Sequence, residues 1–204
     1  MAVILRMIPS WRPRLQLFEL PLMLLLYGVL SFALWVIIRV RYEKPVWRSL
    51  GWNPSRIPAW QALLGGCVLS FVIGALGALL KTPQIRSPFD KFLQTPVWIV
   101  IFGVFAVFLG PLFEEVVFRG FVQPLLARDL GSFPGIFVTA AAFGALHGSQ
   151  YSWAWQYIAL VTAAGVCFGA VRQWGRSLTP SIFMHAGFNA IFFIAALVQT
   201  QIQK

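Results

Sequence analysis

Apolar runs long enough to cross a lipid bilayer dominate this chain. The first, from Leu15 to Ile38, holds Glu19 as its sole charged residue. About 20 such residues span the hydrocarbon core as a helix, because a backbone in lipid must satisfy its N–H and C=O groups internally. Along the whole chain 59% of residues are hydrophobic and 11% charged. A soluble domain carries about 25% charged residues. With 204 residues there is too little interior to hide this much apolar surface from water. A soluble monomer, a disordered tail and a disulfide scaffold are excluded. The fold class is all-α, a polytopic membrane helical bundle.

The pattern predicts about six transmembrane helices, over Leu17–Ile38, Pro58–Leu80, Pro96–Leu126, Phe133–His147, Trp153–Val171 and Leu178–Val198. The second is glycine-rich, and Gly65, Gly66, Gly74 and Gly77 allow close helix approach. The third is too long for one straight span, so a kink or tilt is expected at Gly110-Pro111. In the fifth, Gly165-x-x-x-Gly169 offers a packing face. Residues 1–95 then hold two helices and a loop, and 96–204 hold four helices, as parts of one integrated membrane domain.

The formal charge is +10. The basic residues sit mostly between apolar segments, as at Arg39, Arg41, Lys44, Arg48 and Arg56, where they meet anionic lipid headgroups. No basic groove or soluble region exists to bind nucleic acid. Trp47, Trp52 and Trp60 suit the interfacial zone. Basic residues divide almost evenly between the two sides, so charge bias sets no orientation. Arg6, Arg12 and Arg14 precede the first run in the manner of a signal peptide. The run is long and lacks a small-x-small cleavage site, so a retained helix is expected. Cys67 and Cys167 are far apart in apolar stretches and read as small core side chains.

The exceptions to this composition are informative. The chain has six acidic residues and two histidines. Glu114, Glu115 and Arg119 lie in the third apolar stretch, His147 closes the fourth, and His185 and Asn189 lie in the sixth. Each ionised group at the bilayer centre costs roughly 2.5–3.5 kcal/mol on insertion scales, so these groups must pair or face water. Glu115 and Arg119 are i and i+4 and share a helix face. Glu114 is turned about 100° away and has Phe118 at i+4. Glu115 is therefore expected to be held ionised by Arg119. Glu114 is expected to be partly desolvated and tuned upward, as a general base requires. His185 and Asn189 also share a face, and an Asn amide is a better oxyanion donor than metal ligand.

Neither histidine belongs to an HExxH motif, so a zincin is excluded. No GxSxG with a histidine partner is present, and nothing matches a rhomboid's Ser/His pair. Asp90 and Asp129 fall in loops, against an aspartyl intramembrane protease.

Glu114-Glu115-x-x-x-Arg119 followed by Gly120, Phe143-x-x-x-His147, and His185-x-x-x-Asn189 together resemble the motifs of the CAAX-protease and bacteriocin-processing (Abi) family. This is the type II CAAX prenyl endopeptidase-like group of intramembrane proteases. The resemblance covers about residues 96–198 and implies a four-helix catalytic core. It implies an endopeptidase acting on a membrane-associated, prenylated or peptide substrate, or on a membrane protein, in a bacterial plasma membrane. Glu114 and His147 would activate water, His185 and Asn189 would stabilise the oxyanion, and Glu115 and Arg119 would orient the site. The chemistry is either metal-free or dependent on a divalent metal such as zinc, held by Glu114, His147 and His185. Little loop exists to recognise a large substrate, which sets the chain apart from enzymes that trim prenylated proteins. Two other function classes stand beside this one: a non-enzymatic immunity or scaffold module, and a proton or solute relay. The sequence sets no oligomeric state.

Overall fold

The computed structural model describes residues 12–85 and 88–202, so Arg6 lies outside the described residues. Among the described residues every regular element is helical. Contacts divide the chain between Glu43 and Lys44. The first unit holds α1, Arg12–Val36, which continues as a π turn over Ile37–Arg41.

The second unit holds the remaining helices. They are α2 (Val46–Ser49), α3 (Ala59–Leu79), α4 (Pro96–Val104), α5 (Gly110–Glu115), α6 (Gln123–Leu130), α7 (Ser132–Leu146), α8 (Trp155–Gly175) and α9 (Thr179–Ile202). Among the described residues, five helical runs are long and apolar enough to cross a membrane: Phe18–Arg41, Ala59–Leu79, Pro96–Leu130, Trp155–Gly175 and Thr179–Thr200. The sixth expected span, Phe133–His147, is the 15-residue α7. At 1.5 Å per residue it reaches about 22 Å, short of the ~30 Å hydrocarbon core. Large side chains such as Phe71, Leu79 and Phe133 are exposed, as lipid-facing residues are.

The third run, 35 residues from Pro96 to Leu130, stays helical throughout. Its irregularities track its prolines. A proline has no N–H to donate, and its ring strikes the carbonyl four residues back. Before Pro111 the helix widens into a π turn over Phe105–Leu109, and Gly110 N–H bonds Phe105 O, five residues back. Before Pro124 it widens again over Val116–Val122, and Gln123 N–H bonds Phe118 O. The disturbance expected at Gly110-Pro111 thus takes the form of a wide turn. Such turns concentrate at functional sites.

Helix α3 crosses α9 with backbone against backbone. A Cβ on Gly66 would lie 1.9 Å from Met184 O, and one on Gly187 would lie 2.2 Å from Leu63 O. In lipid, where apolar burial drives little association, such close packing holds helices together. Gly74, also expected to aid close approach, meets nothing within 4 Å. The core beside this crossing joins Ile73 of α3 to Leu160, Ala164 and Phe168 of α8, with Met184 and Phe188 of α9 against them. The stretch that carries the interfacial tryptophans packs on the α8–α9 turn. Leu178 N–H bonds Gly51 O at 2.8 Å and Ser177 Oγ bonds Asn53 O at 2.7 Å, while Trp47, Trp52 and Trp60 stay exposed.

The crossing generates a test. Gly187→Ala is expected to lower unfolding free energy by about 1–3 kcal/mol, the usual range for overpacking. Gly74→Ala is expected to leave it unchanged or slightly raised. Thermal unfolding of the purified variants in detergent compares them, and equal midpoints would contradict the close crossing.

Candidate active site

The polar residues of the third run meet those of α9 around one buried carboxylate. Glu115, at the end of α5, is fully buried. Its Oε1 accepts from Arg119 Nη1 at 2.8 Å and pairs with His185 Nδ1 at 2.9 Å. Its Oε2 accepts from Ser181 Oγ. A carboxylate paired with a guanidinium only accepts hydrogen bonds, so Nδ1 is the protonated nitrogen of His185. The other nitrogen, Nε2, then faces Glu114 Oε2 at 3.8 Å.

Arg119 is held as tightly as the carboxylate. It is fully buried, and its Nη2 donates to Gly165 O of α8 at 2.9 Å. Its guanidinium carbon lies 4.6 Å from the Phe143 ring centre and 5.3 Å from that of Phe168, within cation–π range. The same two rings frame His185. Phe168 stacks on the imidazole at 4.5 Å and Phe143 meets it edge-on at 5.8 Å. One turn below Arg119, Gln123 Nε2 donates to Gly169 O at 3.0 Å. The expected Gly165-x-x-x-Gly169 packing face is therefore a pair of carbonyls one turn apart. Each takes a side-chain donor from the third run. Bare glycine is needed there, because a Cβ on Gly169 would come within 2.8 Å of Gln123 Oε1.

The two glutamates differ in exposure and partners. Glu115 is sealed and multiply bonded, whereas the Glu114 side chain is 20% exposed. His147 follows α7, and its Nδ1 is 2.8 Å from Phe143 O, four residues back. A carbonyl accepts, so here too Nδ1 is the donor. Asn189 Nδ2 donates to Ala106 O, in the first π turn, at 2.8 Å. That bond uses one of its two amide hydrogens. Beyond His147, Tyr151 stacks on Tyr157 at 4.6 Å. Loss of solvation pushes the Tyr151 phenol up to about 12, with Tyr157 and the charge of Glu114 adding in the same direction.

A metal bound by Glu114, His147 and His185 would need the three gathered about one point. Among the described residues, no three His, Cys, Asp or Glu side chains form such a group. Glu114 and His185 face each other, but the three-ligand set is not assembled.

Sequence reasoning missed Ser181, Gln123 and Phe168. Ser181 is four residues before His185, and Gln123 is four after Arg119. The i±4 rule that found the first pairs also points to these two. Phe168 carried no signal, being one apolar residue among many.

Residues 96–191 match the model of a family described as type II CAAX prenyl endopeptidase, Rce1-like. The match covers all the motif residues from Glu114 to Asn189. Neither a curated protein nor a solved structure matches the chain.

Arg119→Leu is expected to cost about 3–5 kcal/mol of stability, since it leaves a buried carboxylate without its counter-charge. Adding Glu115→Gln should recover part of that loss. Ser181→Ala should cost about 1.5–3 kcal/mol, the range for a hydrogen bond to a charged group. Thermal unfolding in detergent measures all three, and a double variant no better than Arg119→Leu would count against the pairing.

Proposed function

From the membership of residues 96–191 in the type II CAAX prenyl endopeptidase-like family, we propose a metal-free intramembrane endopeptidase with Glu114 as general base. Its substrate is a peptide or a membrane-protein segment presented at the bilayer. The observation that carries this reading is the orientation of His185. Its Nδ1 is bound to Glu115, so Nε2 turns toward Glu114 at 3.8 Å. A water on Glu114 and a peptide carbonyl beside Nε2 would meet a base and a donor on neighbouring atoms.

In this mechanism Glu114 takes a proton from water as the water oxygen bonds the carbonyl carbon. His185, as imidazolium, donates through Nε2 to the developing oxyanion. Nδ1 is committed to Glu115, so Nε2 can donate only in the doubly protonated ring. Glu114 then passes its proton to the leaving amine nitrogen as the C–N bond breaks. His147, with Nδ1 tied to Phe143 O, offers Nε2 as an acceptor for the second water hydrogen. Glu115 and Arg119 do not touch the substrate and act by holding His185.

Glu114→Gln should slow cleavage of a membrane-tethered peptide by about 10²–10⁴-fold, the usual worth of a general base. Its thermal stability should stay near wild type, because the sealed carboxylate is Glu115. Exhaustive chelation should leave wild-type cleavage intact. Wild-type rates from Glu114→Gln would sink the base assignment, and activity lost to chelation and restored by zinc would sink the metal-free one.

A further inference from the structure

Asn189 sits one turn from His185 on α9, yet its bond leads to the backbone of the third run. The carbonyl it caps is a special one. In an α-helix Ala106 O would accept from Gly110 N–H, but that N–H is bound to Phe105 O. In the π register it would accept from residue 111, and Pro111 has no N–H. Neither register offers Ala106 O a main-chain donor, and Asn189 Nδ2 fills the gap at 2.8 Å. An unmet carbonyl in a buried or lipid setting costs a large fraction of a hydrogen bond's worth.

The place of this cap on α9 matters for the site. Four α9 residues spaced by four, Ser181, His185, Asn189 and Phe193, form one stripe that meets the third run. A Cβ on Gly103 would lie 2.9 Å from the Phe193 ring. Asn189 holds Ala106, and His185 and Ser181 hold Glu115. Between Ala106 and Glu115 lies the wide turn. A π turn inserts about one residue, so straightening it would rotate α5 by about 100° relative to α4. That angle also separates Glu114 from Glu115. The register of the turn therefore decides whether Glu115 lies against His185 Nδ1 and Glu114 faces Nε2.

We propose that Asn189 is a positioning residue for Glu114: by capping the Ala106 carbonyl that Pro111 leaves without a donor, it holds the wide turn in register and sets the face that α5 presents to His185. Its catalytic consequence rests on the endopeptidase reading, while the effect on the turn does not.

The test compares wild type, Asn189→Leu and the double variant Asn189→Leu/Pro111→Ala, purified in detergent, by amide hydrogen exchange over residues 112–116. Exchange should speed by about tenfold in Asn189→Leu, as for one lost hydrogen bond. It should return toward wild type in the double variant, where position 111 regains an N–H. Cleavage should fall and recover in parallel. If the leucine variant does not fold, Asn189→Ala carries the same comparison. Unchanged exchange in the single variant would overturn the proposal, as would loss of cleavage with wild-type exchange, which marks a direct contact with the substrate. If wild type itself cleaves nothing, the endopeptidase reading fails, and the exchange result still decides the role of Asn189.

Discussion

The site depends on one buried carboxylate. Glu115 sits where ionised groups are costly, and it is kept there by donors from two helices: Arg119 from its own run, His185 and Ser181 from α9. Removing a charge from water is repaid only when its partners are complete and well placed. Completeness requires α9 to lie against the third run in a single register. It also requires Arg119 to stay extended, and Gly165 O and the rings of Phe143 and Phe168 enforce that. The carboxylate thus acts as a pin between helices that lipid alone would not drive together.

Prolines shape the frame around that pin. Pro111 and Pro124 each deny the helix a donor, and each is preceded by a wide turn. Between these turns lies α5 with the two glutamates. Regular helices on either side hold the ends, so the carboxylates sit on a short segment whose rotation is set by its neighbours. Side-chain donors from α9 then satisfy what the widened backbone leaves open, as at Ala106 O.

Much of this was legible from residues alone, for a physical reason. In an apolar chain every charged group is an exception that must be resolved, so Glu114, Glu115, Arg119, His147, His185 and Asn189 stand out against their background. Helical spacing then paired Glu115 with Arg119 and separated Glu114 from both. Three things were not legible. The bounds of α7 were read to within one residue, but apolar composition alone does not tell a 15-residue helix from a full span. The role of Gly165 and Gly169 as carbonyl donors' targets depends on which helix faces them, and small-residue spacing is silent on partners. The bond from Asn189 to Ala106 depends on a π register, and no residue pattern announces that beyond a following proline.

Charge balance explains why two adjacent glutamates serve better than one. Arg119 neutralises Glu115, and that pair is sealed. What remains is Glu114 and His185, one carboxylate opposite one imidazolium in the proposed mechanism. When Glu114 takes the water proton it becomes neutral, and the negative charge moves to the oxyanion beside His185. The sum over the cluster stays the same from ground state to tetrahedral intermediate. In a medium of low dielectric, creating a net charge is the expensive step, whereas shifting one across a few ångströms between fixed partners is not.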